Sequence, residues 1–367
     1  MRSRLHELSA QGVSVWMDTL SREMLETGEL ARLMEEDAVV GVTSNPTIFQ
    51  KALAEGTWYD DRLREASKHV QDPTELFLTL AQEDIRDACD LLAPVWERTG
   101  GVDGYVSLEV DPTLAYDRQA SYDQAMRFHE EVDRKNLYVK IPGTQPGLGA
   151  IEDCIAEGRS INVTLIFSLQ RYAEVVEAYL RGLERLVADG GDPGSVISVA
   201  SFFVSRVDTE ADRRLDEVGR PDLKGRLAIA NAKLAYEHWG KAFSGERWEP
   251  LEAKGARNQR CLWASTSTKN PEYRDVLYVE ELIGPQVVNT MPLETVRAFQ
   301  DHGVVRPSTL TEGLDDARAL LDELAAAGVD YDDVVRTLEE EGVQKFSDSF
   351  EVLRKGITAK LDVVGAR

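Results

Sequence analysis

Short apolar segments alternate along the chain with longer segments in which apolar residues recur at helical spacing. Eight of the short segments end in a turn signal or a helix start. They span residues 12–20, 37–46, 104–112, 137–143, 160–168, 194–206, 260–268 and 285–293. Nearly continuous apolar strands that alternate with helices are typical of a parallel sheet covered by helices. Eight such units predict an α/β fold closed into a TIM-type (β/α)8 barrel.

Two connections between the predicted strands are unusually long, at about 46–103 and 207–259, and each has room for more than one helix. No internal repeat or low-complexity linker separates these connections from the rest of the chain. We therefore expect a single barrel domain over 1–367 with additional helices, its core strands at about 13–291.

The C-terminal part of the chain predicts a helical extension at about 309–361. Thr309 and Glu312 have the spacing of a capping box that would begin its first helix. The second helical pattern carries Phe346 and Phe350, and an aromatic helix near the mouth of the barrel would exclude water from it.

The composition is that of a globular protein with a sizeable core, with 43% hydrophobic and 29% charged residues. No apolar run reaches the roughly 18 residues that a membrane span needs. The first 16 residues lack the apolar region of a secretory signal. We expect a cytoplasmic protein without a membrane partner.

The formal net charge of −23 repels nucleic-acid phosphates, so we expect no nucleic-acid partner. A phosphorylated substrate would need a local basic pocket. Cys89, Cys154 and Cys261 are far apart, which indicates a reducing compartment and buried thiols. Neither they nor the five histidines have metal-ligand spacing, and we predict no metal site and no cofactor.

Polar side chains gather near the C-terminal ends of the predicted strands, where barrels of this type place their active sites. They are Asp18, Asn45, Glu109, Lys140, Asn162, Thr164, Ser201, Arg206 and Lys269.

Lys140 is the most informative of these residues, because burial lowers the pKa of a lysine and frees its amine to attack a carbonyl. The resulting iminium is an electron sink, so that an adjacent C–C bond can break or form without a metal. Glu109, one strand earlier, is placed to move protons during carbinolamine formation and loss of water. Asp18 is placed to accept a hydroxyl proton when the C–C bond breaks.

Asn45 and Asn162 offer the donor and acceptor pairs that hold a polyol. Thr164 follows Asn162 by two residues, so both face one side of the strand, and its hydroxyl could position a water.

Each signal also has a structural explanation when taken alone. A strand-end lysine is usually solvated, and the segment around Asn45 is typical of a turn and helix cap. Glu109 could face an edge, and the polar residues around Asn162 could point outward. The Gly-rich segment 143–150 lacks nucleotide-fingerprint spacing and predicts a turn into a helix at 148–155. The coincidence of these residues at one end of successive strands favours an active site.

Six segments together resemble the transaldolase family in the expected order over about residues 14–310. They are WMDTLSR (16–22), GVTSNPTIFQKAL (41–53), VSLEVDP (106–112), LYVKIPGT (137–144), INVTLIFS (161–168) and SVASFFVSRVD (198–208). The last resembles the family segment that presents a serine, an aromatic residue and a phosphate-binding arginine, which correspond here to Ser201, Phe203 and Arg206.

The resemblance implies an enzyme of the pentose phosphate pathway that acts on sugar phosphates. Such enzymes transfer a dihydroxyacetone unit from sedoheptulose 7-phosphate to glyceraldehyde 3-phosphate, which gives erythrose 4-phosphate and fructose 6-phosphate. It implies that Lys140 forms the Schiff base, that Asp18 is the acid/base of C–C cleavage, and that Glu109 and Thr164 hold the catalytic water. Asn45 and Asn162 would bind the dihydroxyacetone hydroxyls.

One segment departs from the family pattern. Many members have a second phosphate-binding arginine after the seventh strand, where this chain offers Lys269 in a longer segment, with Arg274 further on. A lysine supplies the charge but lacks the planar fork of arginine. The longer segment indicates a longer bacterial subtype, for which both a monomer and a homodimer stay open.

Three alternatives compete with transfer. A fructose-6-phosphate aldolase would use the same lysine but release free dihydroxyacetone, and the full set of Glu109, Asp18 and Asn45 favours transfer over it. A deoxyribose-phosphate aldolase does not account for the SNPT and Asn-x-Thr segments. A catalytically dead barrel would have lost at least one of these polar groups, and all are present.

Overall fold

The computed structural model describes residues 3–54 and 57–365. Eight parallel strands pair in chain order and close into a barrel, which confirms the predicted TIM-type (β/α)8 fold. The strands are β1 (Val13–Met17), β2 (Val39–Thr43), β3 (Val106–Glu109), β4 (Leu137–Pro142), β5 (Ile161–Ile166), β6 (Ser198–Phe203), β7 (Arg260–Ala264) and β8 (Val287–Met291). Each strand lies within its predicted apolar segment, because buried parallel strands are apolar on both faces.

Helices cover the outside of the barrel and extend it. They are α1 (Arg4–Ala10), α2 (Arg22–Glu26), α3 (Glu29–Glu36), α4 (Pro46–Ala54), α5 (Asp60–Ala66), α6 (Pro73–Arg98), α7 (Arg118–Val132), α8 (Gln145–Ala156), α9 (Leu169–Ala188), α10 (Ser205–Glu217), α11 (Leu227–Ala242), α12 (Glu249–Glu252), α13 (Leu277–Glu281), α14 (Leu293–His302), α15 (Leu314–Ala326) and α16 (Tyr331–Gly365). None of the described helices is both long and apolar enough to cross a bilayer.

The long connections have the predicted helical content. The one between β2 and β3 contains α4, α5 and α6, and the one between β6 and β7 contains α10, α11 and α12. The Gly-rich segment is the predicted turn into a helix, because the Thr144 hydroxyl accepts a hydrogen bond from the Gly147 N–H at 3.1 Å and caps α8. All three cysteines are buried and unpaired, as expected.

The predicted capping box at Thr309 and Glu312 is wrong. Helix α15 begins only at Leu314, after Gly313 with φ of +66°. The buried Thr309 hydroxyl instead accepts from the Ile283 N–H at 2.8 Å and donates to the Glu280 carbonyl at 3.1 Å. The hydroxyl therefore satisfies backbone groups of another segment and is not available to a helix N-terminus.

A polar network closes the N-terminal end of the barrel. The Asp103 carboxylate accepts from the Ser14 hydroxyl at 2.8 Å and the Trp16 indole at 3.2 Å. Arg260, the first residue of β7, lies 3.1 Å from the same carboxylate. Gly41 is required beside Trp16, because a Cβ there would lie 2.5 Å from the indole ring.

Helix α16 packs back onto the early helices beside the C-terminal mouth of the barrel. Phe350 lies edge-on to Phe77 of α6, with ring centroids 5.8 Å apart. The Thr47 hydroxyl of α4 donates to the Ser349 hydroxyl at 2.8 Å. This packing places Phe346, one turn before Phe350, at the mouth itself.

Candidate active site

Strand register brings three predicted site residues to one level of the barrel. Glu109 on β3 is paired with Lys140 on β4, and Lys140 is paired with Asn162 on β5. Residues at one level of parallel strands point to the same side of the sheet. All three side chains are buried, with Lys140 only 5% exposed.

The Lys140 ammonium has two neighbours that restrain it. Its Nζ lies 3.3 Å from Oε2 of Glu109 and donates to the Ser44 carbonyl at 3.2 Å. The Ser44 hydroxyl in turn donates to the Ser107 carbonyl of β3 at 2.8 Å. The amine is thus fixed near the axis of the barrel, between β2, β3 and β4.

Glu109 is buried with few compensating contacts. Within the described part of the chain neither of its oxygens makes a hydrogen bond, although Oε2 has the ion pair with Lys140. Burial raises the pKa of Glu109, and the charge of Lys140 opposes that rise. A raised pKa favours the protonated form of a carboxyl group, which is the form that can deliver a proton.

Asp18 lies at the exit of β1, where its N–H donates to the Met291 carbonyl of β8 at 2.8 Å. Its Oδ1 accepts from the Thr43 hydroxyl at 2.9 Å, and the Thr43 hydroxyl lies 2.9 Å from that of Thr290. Burial raises the pKa of Asp18, while the charge of Lys140 and the Thr43 hydrogen bond oppose that rise. Strands β1, β2 and β8 therefore hold this carboxylate together.

Asn162 belongs to a short hydrogen-bonded chain across three strands. Its Oδ1 accepts from the Ser201 hydroxyl at 2.7 Å, and its Nδ2 donates to the Ser107 hydroxyl at 3.1 Å. The chain fixes the orientation of the amide. Thr164, two residues later, is buried with a hydroxyl that makes no hydrogen bond among the described residues.

Asn45 both caps a helix and lines the candidate site. Its Oδ1 accepts from the Ile48 N–H at 3.1 Å at the start of α4, as a helix cap does. Asn45 also lines the same cavity as Lys140 and Asp18. The cap fixes where the amide points.

Arg206, in the first turn of α10, presents its guanidinium between two aromatic rings. The Cζ atom lies 5.1 Å from the ring centroid of Phe203 and 5.7 Å from that of Phe346. Both distances are within the range of a cation–π contact. Burial lowers the pKa of Arg206, although arginine stays charged.

These residues enclose one cavity of about 70 Å³ at the C-terminal end of the barrel. Seven predicted residues line it, namely Asp18, Asn45, Lys140, Thr164, Ser201, Phe203 and Arg206. Glu109 and Asn162 are not in the lining but contact Lys140 and Ser201.

The sequence prediction missed several lining residues, which are Thr43, Ala264, Ser265 and Thr290. Thr43 and Thr290 lie within apolar strands, and their pairing depends on the closure of β1 against both β2 and β8. The weak signal that could have found them is a threonine at the last or next-to-last position of a mainly apolar strand.

The two candidates for a second phosphate contact lie outside the cavity. Lys269 is exposed and donates to the Ser267 hydroxyl at 2.7 Å. It lines a separate cavity with Asp208, Asp212 and Tyr273, and its charge opposes the rise in the pKa of Asp18. Arg274 forms an ion pair with Glu280 at 2.9 Å and donates to the His302 carbonyl at 2.6 Å, so its guanidinium is engaged elsewhere.

Comparison with known proteins agrees with this geometry. Residues 15–357 match the family model described as transaldolase/fructose-6-phosphate aldolase. The chain is 52% identical to a transaldolase of Frankia alni, over 98% of each chain. It is 51% identical to a transaldolase of Acidothermus cellulolyticus, over 99% of this chain and 98% of that one. It is 50% identical to a transaldolase of Mycobacterium tuberculosis, over 98% and 97% of the two chains. The chain therefore belongs to the transaldolase/fructose-6-phosphate aldolase family.

Proposed function

We propose that the protein is a transaldolase that works through a Schiff base on Lys140. It transfers a dihydroxyacetone unit from sedoheptulose 7-phosphate to glyceraldehyde 3-phosphate in the pentose phosphate pathway, giving erythrose 4-phosphate and fructose 6-phosphate. The observation that carries the proposal is the position of Lys140. Its side chain is the one amine among the described residues that line the cavity, and it lies 3.3 Å from a buried carboxylate.

In the first step Lys140 gives a proton to Glu109, and the free amine attacks the C2 carbonyl of the ketose. The carbinolamine that forms loses its hydroxyl as water, with the proton supplied from Glu109, and an iminium remains. The raised pKa of Glu109 supports this role. The unpaired Thr164 hydroxyl lines the cavity and is suited to hold the departing water beside Glu109.

In the second step Asp18 takes the proton of the C4 hydroxyl while the C3–C4 bond breaks. The bonding electrons pass into the iminium, which becomes an enamine on Lys140, and the aldose phosphate leaves as an aldehyde. The charge of Lys140 lowers the pKa of Asp18 against the effect of burial, which supports a base that can give the proton back. Asn45 and the Asn162–Ser201 pair would hold the dihydroxyacetone hydroxyls meanwhile.

The same groups then work in reverse on the acceptor. The enamine carbon attacks the aldehyde of the second aldose phosphate, Asp18 returns its proton to the new hydroxyl, and water releases the ketose from Lys140. In this proposal Arg206 binds the phosphate, with Phe203 against its guanidinium, and Lys269 adds positive charge at the mouth. The single-domain organisation over 1–367, the cytoplasmic location and a monomer or homodimer stay predictions alongside it.

Borohydride trapping tests the proposal. We expect incubation with fructose 6-phosphate and reduction to add a dihydroxyacetone-sized group to Lys140, which peptide mass spectrometry would locate. Erythrose 4-phosphate added before reduction should discharge it. An adduct that clears without an acceptor would replace transfer by aldol cleavage, and a folded protein without an adduct on Lys140 would contradict the Schiff base.

A further inference from the structure

The connection from β7 to β8 carries Lys269 and is held against α10, the helix that carries Arg206. At its start the Ser205 N–H donates to the Ser265 carbonyl at 3.0 Å, and the two serine hydroxyls lie 2.9 Å apart. Lys269 follows Ser265 by four residues, so one end of its segment is fixed to the first turn of α10.

The other end of this segment is fixed by two tyrosines. The Tyr273 hydroxyl donates to Oδ2 of Asp212 at 2.5 Å, and the Tyr278 hydroxyl donates to Oδ2 of Asp208 at 2.9 Å. Asp208 and Asp212 are four residues apart on α10, so they share one face of the helix. Burial raises the pKa of each of these phenols, which therefore stay protonated as donors.

The carboxylates of Asp208 and Asp212 accept the same kind of hydrogen bond on their other oxygen. Oδ1 of Asp208 accepts from the Ala228 N–H at 2.7 Å, and Oδ1 of Asp212 accepts from the Gly225 N–H at 2.9 Å. Each carboxylate thus joins the backbone at or just before the start of α11 to a tyrosine of the β7–β8 connection. Burial raises the pKa of Asp208 to about 7, and each of the two carboxyl groups accepts two hydrogen bonds that offset the cost of burying it.

Gly225 leaves the space that Tyr273 occupies. A Cβ at Gly225 would lie 2.8 Å from Cζ of Tyr273, and the glycine has φ of +69°. A side chain there would both strain the backbone and displace the phenol ring.

We propose that Tyr273 and Tyr278 are positioning residues for phosphate binding. By docking on Asp212 and Asp208 they set Lys269 at a fixed place relative to Arg206, so that both cations meet one phosphate group of the substrate. The inference rests on the proposed function. It is supported by the cavity linings: Ser265 lines the same cavity as Arg206, and Lys269, four residues later, lines a second cavity together with Asp208, Asp212, Tyr273 and Tyr278.

The test compares a phosphorylated with an unphosphorylated acceptor, using fructose 6-phosphate as donor. We expect Tyr273→Phe to lower kcat/KM for erythrose 4-phosphate by about fivefold, mainly through KM, since a hydrogen bond to a charged group is lost. For erythrose the decrease in kcat/KM should stay below about twofold, because this acceptor has no phosphate group for Lys269 to bind. Tyr278→Phe should shift the preference in the same direction.

Tyr236→Phe is the matched control. Tyr236 is a buried tyrosine whose hydroxyl donates to the Pro285 carbonyl at 3.0 Å, at the far end of the same connection. Removal of the Tyr236 hydroxyl should leave the ratio of kcat/KM for erythrose 4-phosphate to kcat/KM for erythrose unchanged. Gly225→Ala provides a second way to displace Tyr273 and should reproduce the loss of phosphate preference.

Arg206→Ala separates a failure of the inference from a failure of the proposed function. If Arg206→Ala abolishes the preference for erythrose 4-phosphate while the Tyr273 and Gly225 variants keep it, the positioning role is wrong and the transaldolase proposal stands. Equal losses for both acceptors would also overturn the positioning role, because they indicate a general structural effect. A wild-type protein without dihydroxyacetone transfer would overturn the proposed function.

Discussion

Two buried ion pairs, Asp103–Arg260 and Lys140–Glu109, lie at opposite ends of the barrel and differ in their hydrogen bonds. At the N-terminal end every terminal atom of the Asp103–Arg260 pair has a hydrogen-bond partner: the carboxylate accepts from Ser14 and Trp16, and the guanidinium donates to Ser14 and the Val102 carbonyl. At the C-terminal end Glu109 has the ion pair with Lys140 and the charge of Arg206, but its oxygens make no hydrogen bond within the described residues.

We propose that this difference separates a structural ion pair from a reactive one. A buried charge costs free energy unless hydrogen bonds satisfy it, and natural structures leave few such groups unsatisfied. Those that remain are concentrated where a substrate or a water completes them. In this proposal the Asp103–Arg260 pair closes the barrel, and the Lys140–Glu109 pair carries the chemistry.

Removing the amine should have the largest effect. We expect Lys140→Met to lower kcat by at least about 10⁴-fold, because the covalent intermediate cannot form. Coupled assay of erythrose 4-phosphate release would measure it, with circular dichroism to establish the fold. Activity within tenfold of wild type would exclude Lys140 as the nucleophile.

Breaking the structural pair should affect stability instead. Asp103→Asn leaves the Arg260 charge buried without a carboxylate, and we expect it to lower the free energy of unfolding by about 3–5 kcal/mol. Urea denaturation would measure this loss. The kcat of the folded fraction should stay close to wild type, and a large loss of kcat would show that the two ends are not independent.

The pH dependence of stability should distinguish the reactive carboxylate. The pKa of Glu109 is raised by burial above the 4.5 of an unperturbed glutamate, so the folded protein holds a proton that the unfolded chain has lost. Its stabilising contribution is complete below pH 4.5 and is lost as the pH rises through the folded pKa. Glutamine does not titrate, so Glu109→Gln does not lose this contribution. The unfolding free energy of the variant minus that of wild type should therefore increase by up to about 1.4 kcal/mol for each unit of pH rise in that window. Parallel curves for the two proteins would contradict a raised pKa.

The smallest effect is expected from a substitution at the C-terminal mouth of the barrel. Phe346→Ala removes one of the two rings against Arg206, and we expect KM for fructose 6-phosphate to rise about threefold to tenfold. Phe350→Ala is the control, because Phe350 is also buried on α16 but packs on Phe77, away from the guanidinium. Equal KM values for the two variants would show that Phe346 contributes only packing.

The sequence predicted the strands and the end of the barrel that carries the site, because strand periodicity and strand ends are local features. It also placed Asp18, Asn45, Lys140, Thr164, Ser201, Phe203 and Arg206, all of which line one cavity.

The missed features depend on contacts between distant residues. Thr43 and Thr290 meet beside Asp18 only because β8 closes on β1, and Asp103 meets Arg260 for the same reason at the other end. Thr309 has the local pattern of a cap, but a buried carbonyl and N–H from another segment take its hydroxyl. Local pattern cannot distinguish these outcomes.

The most direct test of the contrast between the two pairs is the rate at which borohydride-trapped adduct appears on Lys140 in Glu109→Gln and in Asp103→Asn, under conditions where both are folded. The account predicts that Glu109→Gln slows adduct formation by about 10²-fold, because proton transfer to the leaving hydroxyl is lost, while Asp103→Asn forms the adduct at the wild-type rate. Adduct formation at the wild-type rate in Glu109→Gln would contradict a reactive role for the Lys140–Glu109 pair.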